Sequence, residues 1–192
     1  MAAIRYMSKI LRRTIDRFAE MNRNSVDIKV GKVIRQWVLN IYGEDYVLLD
    51  KHSNLWFLIK QYLQLLPDDY RPIEDRSEYI SFFLLVNGEE TTAHQDHLGR
   101  IIQLNMLYRC YIPAEGQVRI RRYLENQFRH AFIVFMTARQ GDESGEKITR
   151  SIADFLLTVG VDVDRQLLGR LMKYWYRWRV KTEKKPVVQI FF

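Results

Sequence analysis

One cysteine, Cys110, stands among 192 residues. A single thiol excludes an internal disulfide and a cysteine-rich zinc site. A reducing, cytoplasmic-type compartment is the expected setting. Long apolar runs are missing too. No stretch approaches ~18 consecutive apolar residues, so no helix is expected to span a membrane. The N-terminal MAAIRYMSKILRRTIDRF is basic, but it lacks the unbroken apolar run and small-residue cleavage site of a secretory signal. Asp16, Glu20 and the scarcity of serine argue against a transit peptide. No internal repeat or low-complexity linker interrupts the chain.

Catalytic signatures are equally scarce. GDESGEKI, from Gly141, resembles a phosphate-binding loop only superficially. That pattern needs four residues between the glycines and then Lys followed by Ser or Thr; here three intervene, and Glu146 precedes Lys147. His52 next to Ser53 is no nucleophile–base pair, because such pairs are made by three-dimensional geometry, and Ser53 is better placed to cap a helix. Cys110 has apolar neighbours and nothing evident to lower its pKa, so a small buried residue is expected rather than a thiolate. The carboxylate pairs Asp68–Asp69 and Glu89–Glu90 fall in loops with no implied apolar pocket to split their pKa values. His94, Asp96 and His97 are the right ligand types for zinc, with Glu89 and Glu90 nearby, but a polar hairpin loop explains the same letters. The expectation is a protein that is not an enzyme and uses no cofactor or metal.

What is present is ordinary globular material with one unusual end. Apolar residues make up 47% and aromatics 13%, enough for a sizeable core. The net charge is +7, from 30 basic and 23 acidic residues. Eight of those basic residues and one acid lie between Arg165 and Lys185, leaving 22 of each sign elsewhere. The protein is a neutral body with one basic end.

Hydrophobic spacing predicts most of the elements. Ile4, Met7, Leu11, Ile15 and Phe18 recur at helical intervals over residues 3–22. Asp27 is placed to cap a second helix with the stripe Val30, Val33, Ile34, Trp37 and Ile41, ended by Gly43. Tyr46 to Leu49 reads as a short strand. Ser53 caps a third helix with Leu55, Trp56, Ile59 and Leu63, which stops before Pro67. EYISFFLLV (78–86) and RIIQLNMLYRCYI (100–112) read as an antiparallel pair around a long polar loop. Helical spacing returns from Ala114 to about Arg139, with Ile120, Leu124, Phe128, Phe132 and Phe135. It continues through Ile148, Ile152, Phe155 and Leu156 to Gly160. Asp162 or Asp164 caps a final helix reaching about Val180. VVQIFF (187–192) is a further candidate edge strand. The fold class expected is α+β, mostly α, with about six helices and a small antiparallel sheet. An N-terminal helical part (1–66) and a hairpin plus C-terminal helical part (67–192) form one compact unit.

On the final helix, Leu167, Leu168, Leu171, Tyr174, Trp175 and Trp178 cluster within about 120°. Arg170, Lys173, Arg177 and Lys181, spaced three, four and four apart, form a separate stripe. The aromatics are therefore core and the cations an exposed ridge. Such a ridge repels itself by a few tenths of a kcal/mol per pair, roughly, and phosphates would relieve that. The competing explanation is a solvated face, or a ridge paired with acids such as Asp68, Asp69, Glu74 and Asp75. Cations also suit a helix C-terminus for local reasons. Arg119, Arg122 and Arg129 could extend the same surface, although ordinary surface solvation explains them as well. No helix-turn-helix spacing or RNA-binding strand motif is present, so nucleic-acid contacts would go to backbone.

Two functional classes follow. One is a non-enzymatic structural or assembly subunit, with the ring, neck or connector of a phage or mobile-element nucleoprotein particle as its setting. Its basic helix would face nucleic acid, and Val188, Ile190, Phe191 and Phe192 would recruit a partner as an edge strand in a homo-oligomer. Its location would be cytoplasmic or in a virion, and no membrane is expected as partner. The alternative is a soluble nucleic-acid-binding protein of replication, transfer or regulation.

Overall fold

The computed structural model describes residues 25–42, 46–50, 52–67, 73–84, 94–95, 101–102, 110–139 and 145–183. The chain divides into two compact units, Met1–Glu125 and Asn126–Phe192.

The first unit is built on a three-stranded mixed sheet in the order β1 (Ser25–Lys29), β4 (Tyr79–Leu84), β2 (Tyr46–Leu49). β1 runs antiparallel to β4, pairing Ile28 with Ile80, and β2 runs parallel to it, pairing Val47 with Phe82. Strict alternation puts Val26, Ile28, Val47, Leu49, Ile80 and Phe82 on one buried side. Helix α1 (Lys32–Tyr42) packs on β2 and β4 and buries Ile34, Trp37 and Val38. Helix α2 (Asn54–Tyr62) starts at Ser53, whose Oγ accepts the Trp56 N–H at 3.1 Å. It ends at Leu63, which turns extended two residues short of Leu65. Short ladders complete the unit: β3 (Gln64–Leu65) with β7 (Cys110–Tyr111), and β5 (His94–Gln95) with β6 (Ile101–Ile102), both antiparallel.

Helix α3 (Ala114–Ala138) supplies the clamp on the sheet edge. Ile28 and Val30 bond towards β4, so Asp27 O and Lys29 N point the other way, to an edge that no strand covers among the described residues. Gln117 takes both: its Oε1 accepts Lys29 N–H at 2.6 Å and its Nε2 donates to Asp27 O at 2.9 Å. One side-chain amide thus stands in for a neighbouring strand and blunts the edge. α3 can come this close because Gly116 faces Tyr62; a Cβ there would lie 2.6 Å from Tyr62 Cβ.

The second unit holds the rest of α3, α4 (Gly145–Thr158) and α5 (Arg165–Glu183). Its core is aromatic. Phe128, Phe132 and Phe135 of α3 meet Phe155 of α4 at 5.3 to 5.5 Å between ring centroids. Phe132 also stands edge-on to Trp175 of α5 at 6.5 Å. Arg139 pairs with Asp154 at 2.7 Å across the same helices. α4 ends in a Schellman turn. Val161 N–H reaches Leu156 O, Gly160 N–H reaches Leu157 O, and Gly160 sits at φ 68°, where a side chain would be strained. Asp164 then caps α5, its Oδ1 accepting the N–H groups of Gln166 and Leu167 at 2.7 and 2.9 Å.

Several expectations are corrected. The sheet is mixed rather than antiparallel, and β4 pairs with β1 and β2 instead of residues 100–112. The reason is that residues 26, 28 and 30 alternate with polar ones and form a strand, so Asp27 is a strand residue and no helix cap. Helix α1 begins only after Gly31, and Ile41 is 57% exposed rather than part of the buried stripe. Residues 100–112 contribute only the short β6 and β7 among the described residues. Five helices are described rather than about six; residues 3–22, Gly43 and 187–192 lie outside the described residues.

Candidate nucleic-acid interface

Helix α5 carries the predicted division of labour. Leu167, Leu171 and Trp175 are buried, and Tyr174 and Trp178 are half-buried beside them. Arg170, Lys173, Arg177 and Lys181 are all exposed. Among the described residues no carboxylate pairs with any of the four, while other cations of the chain are paired: Arg139 with Asp154, Arg76 with Asp27, Lys29 with Glu78. Asp68 and Asp69 lie outside the described residues. The ridge runs along ~16 Å of helix at 1.5 Å per residue.

The face is wider than the stripe. Arg129 of α3 lies over the Tyr174 ring, 5.8 Å from its centroid, and so flanks the ridge on its core side. On the opposite side Tyr176 and Val180 stand out, 42% and 49% exposed. Tyr176 follows Lys173 by three and Val180 follows Arg177 by three, so the four side chains are neighbours on the helix surface. This pair is not among the candidate residues read from the sequence, although helical spacing alone sets it apart from the apolar face. Gly169, four before Lys173, has open space where a Cβ would be.

Arg119 and Arg122 are exposed on the part of α3 that belongs to the first unit. Val188, Ile190, Phe191 and Phe192 lie outside the described residues.

A second basic place exists in the first unit. Lys32, Arg35, Gln36, Arg76, Ser77 and Glu78 line an open cleft of about 570 Å³. Its cations are already engaged, Arg76 by Asp27 and Arg35 Nε by Tyr79 O at 3.1 Å. The hydrogen bond that the exposed Lys29 ammonium donates to Glu78 holds it above its ordinary pKa. The network ties β1, β4 and the segment before β4 together, and reads as structural.

Of the candidate metal ligands, His94 opens β5 opposite Ile102, and Asp96 and His97 lie outside the described residues. Among the described residues no three His, Cys, Asp or Glu side chains gather in a group. Cys110 is buried in β7, and burial pushes its thiol up to about 11, away from thiolate chemistry. Ser53 is occupied as a helix cap. Among the described residues no helix is long and apolar enough to cross a membrane.

No protein-family model, curated protein or solved structure matches this chain.

Proposed function

We propose that the protein is a non-enzymatic nucleic-acid-binding component that holds a phosphate backbone along α5. The observation that carries the reading is the ridge Arg170, Lys173, Arg177 and Lys181, all exposed and without a carboxylate partner among the described residues. A row of like charges on one rigid helix is unfavourable to itself, and a row of phosphates removes that cost while releasing condensed counterions. Arg129 adds a fifth charge at the ridge's border. An anionic membrane fits less well, because an interfacial helix needs a free apolar face and that of α5 is already spent on the core. Contacts of this kind position a backbone and read no base, so binding is sequence-independent.

The test is the double variant Lys173→Glu, Arg177→Glu, assayed for binding to labelled nucleic acid at 50 to 200 mM salt, on the order of the range where screening decides. The expectation for the unaltered protein is an affinity falling steeply with salt, and for the variant a loss of binding with unchanged circular dichroism. Equal binding by both proteins would overturn the reading.

An assembly subunit, in a phage or mobile-element particle for example, is the second reading. Leu157 at 68% exposure and Val134 at 54% in the second unit favour it, since exposed apolar side chains suit subunit contact. Its proposed edge, 187–192, is tested by deleting those residues and following oligomer mass by light scattering. An unchanged mass counts against it.

A further inference from the structure

We infer that the α5 face selects single-stranded over double-stranded nucleic acid, with Tyr176 as a stacking platform for an unpaired base. The inference rests on the proposed phosphate ridge and names its substrate. Three observations lead to it.

First, the ridge is a single file. Arg170, Lys173, Arg177 and Lys181 follow one line on a convex helix, and such a line contacts one backbone at a time. Second, Tyr176 is 42% exposed directly beside that line, next to Lys173 and Arg177. Its neighbours of the same kind, Tyr174 and Trp178, are turned towards the core, where Tyr174 meets Phe132 and Trp178 lies on Trp175. Tyr176 thus keeps 42% of its surface open to solvent among the cations. A base that leaves its phosphate on Lys173 or Arg177 can lie against that ring, and base–aromatic stacking is sequence-tolerant because every base has a π-face. In a duplex the bases are stacked inward and out of the ring's reach. Third, the helix surface is low two turns before the ring, about 10 Å along the axis. Gly169 presents bare backbone with nothing within 4 Å of a Cβ position, so a nucleotide can lie close to the helix before reaching Lys173. Val180 extends the apolar strip one turn past Tyr176. The geometry combines a charged track with an aromatic step, as single-strand binding requires.

The experiment compares fluorescein-labelled 20-mers of oligo-dT and of the corresponding duplex, by anisotropy at fixed salt. The full chain is used with Tyr176→Ala, Tyr176→Leu, Tyr176→Phe and the Lys173→Glu, Arg177→Glu double variant. The unaltered protein is expected to bind the single strand more tightly. Tyr176→Ala and Tyr176→Leu are expected to lose roughly 5- to 150-fold on the single strand and little on the duplex, the range of one stacked base. Tyr176→Phe should keep the affinity, because the ring and not the hydroxyl stacks. Tyr176 is exposed, so circular dichroism of all three should match the parent. Equal affinity for both forms, or Tyr176→Ala binding as well as the parent, overturns the single-strand inference while leaving the phosphate ridge intact. Binding to neither form sinks the ridge itself.

Discussion

Trp178 lies flat against Trp175, with ring centroids 5.3 Å apart and ring planes inclined by 15°. Trp175 is 3% exposed and touches Phe132 edge-on; Trp178 covers it from the solvent side. This stack fixes the rotation of α5 about its own axis. With the two indoles turned inward, helical geometry forces Lys173, Arg177 and Lys181 outward, since they sit roughly 120° to 160° away from Trp175 on a wheel of 100° per residue. The charged face is a consequence of where the tryptophans go.

Trp175→Ala should therefore cost stability and not merely local order. Removing a buried indole leaves a cavity, and such changes typically cost about 3–5 kcal/mol. Trp178→Ala, at a half-buried position, should cost less than half of that. Urea unfolding followed by circular dichroism measures both, and the midpoint of Trp175→Ala should fall further.

Two glycines make opposite predictions. At Gly116 a Cβ would stand 2.6 Å from Tyr62 Cβ and 2.7 Å from Ile112 Cγ2, atoms near the backbone that cannot move aside easily. Gly116→Ala should destabilise by about 1–3 kcal/mol or more, the usual range for overpacking. At Gly169 the space is open and the residue lies inside α5. Gly169→Ala should stabilise by about 0.5–1 kcal/mol through helix propensity alone. Thermal unfolding of the two variants should move in opposite directions.

Gln117→Ala removes the side chain that satisfies Asp27 O and Lys29 N–H. The same Nε2 also donates to Ile112 O, so three hydrogen bonds go; water can reach part of this edge, and the loss should be about 1–3 kcal/mol. The larger effect should be on association. An uncovered edge offers unpaired N–H and C=O groups to another chain. Light scattering during partial unfolding should show earlier aggregation for Gln117→Ala than for the parent.

The helices were readable because their signals are local. Ser53 precedes an apolar stripe and caps α2; Gly160 follows one and closes α4; Asp164 stands three residues before Leu167 and caps α5. The sheet was not readable to the same degree. Val26, Ile28 and Val30 alternate, but Val30 also fits a helical stripe with Ile34 and Trp37, and the longer stripe masks the shorter alternation. The partner of β4 could not be seen at all, because pairing with β1 across more than 50 residues and in parallel with β2 leaves no mark in either segment. The α5 face is legible as charge and period, and the same period sets Tyr176 apart from the aromatic face; how far it stands in solvent is given only by the fold.

Cys110 supplies a pH-dependent prediction whose sign is fixed by its burial. The thiol's ordinary pKa is 9.0, and desolvation in β7 pushes it up to about 11. Between those values an unfolded chain releases the proton while the folded chain keeps it. The unfolded state then binds fewer protons, and folding stability falls as pH rises through this window. Below pH 9 the contribution is fully present. Replacing the thiol by Cys110→Ala removes the titration and leaves a small cavity, so the variant should be the less stable protein at pH 8. Its disadvantage should shrink as pH approaches 11, because only the parent loses stability from this site. Lysines and tyrosines titrate in the same range but are common to both proteins, so the difference between the two urea midpoints isolates Cys110. A gap that stays constant from pH 8 to pH 11 would show that the thiol reaches solvent in the folded state.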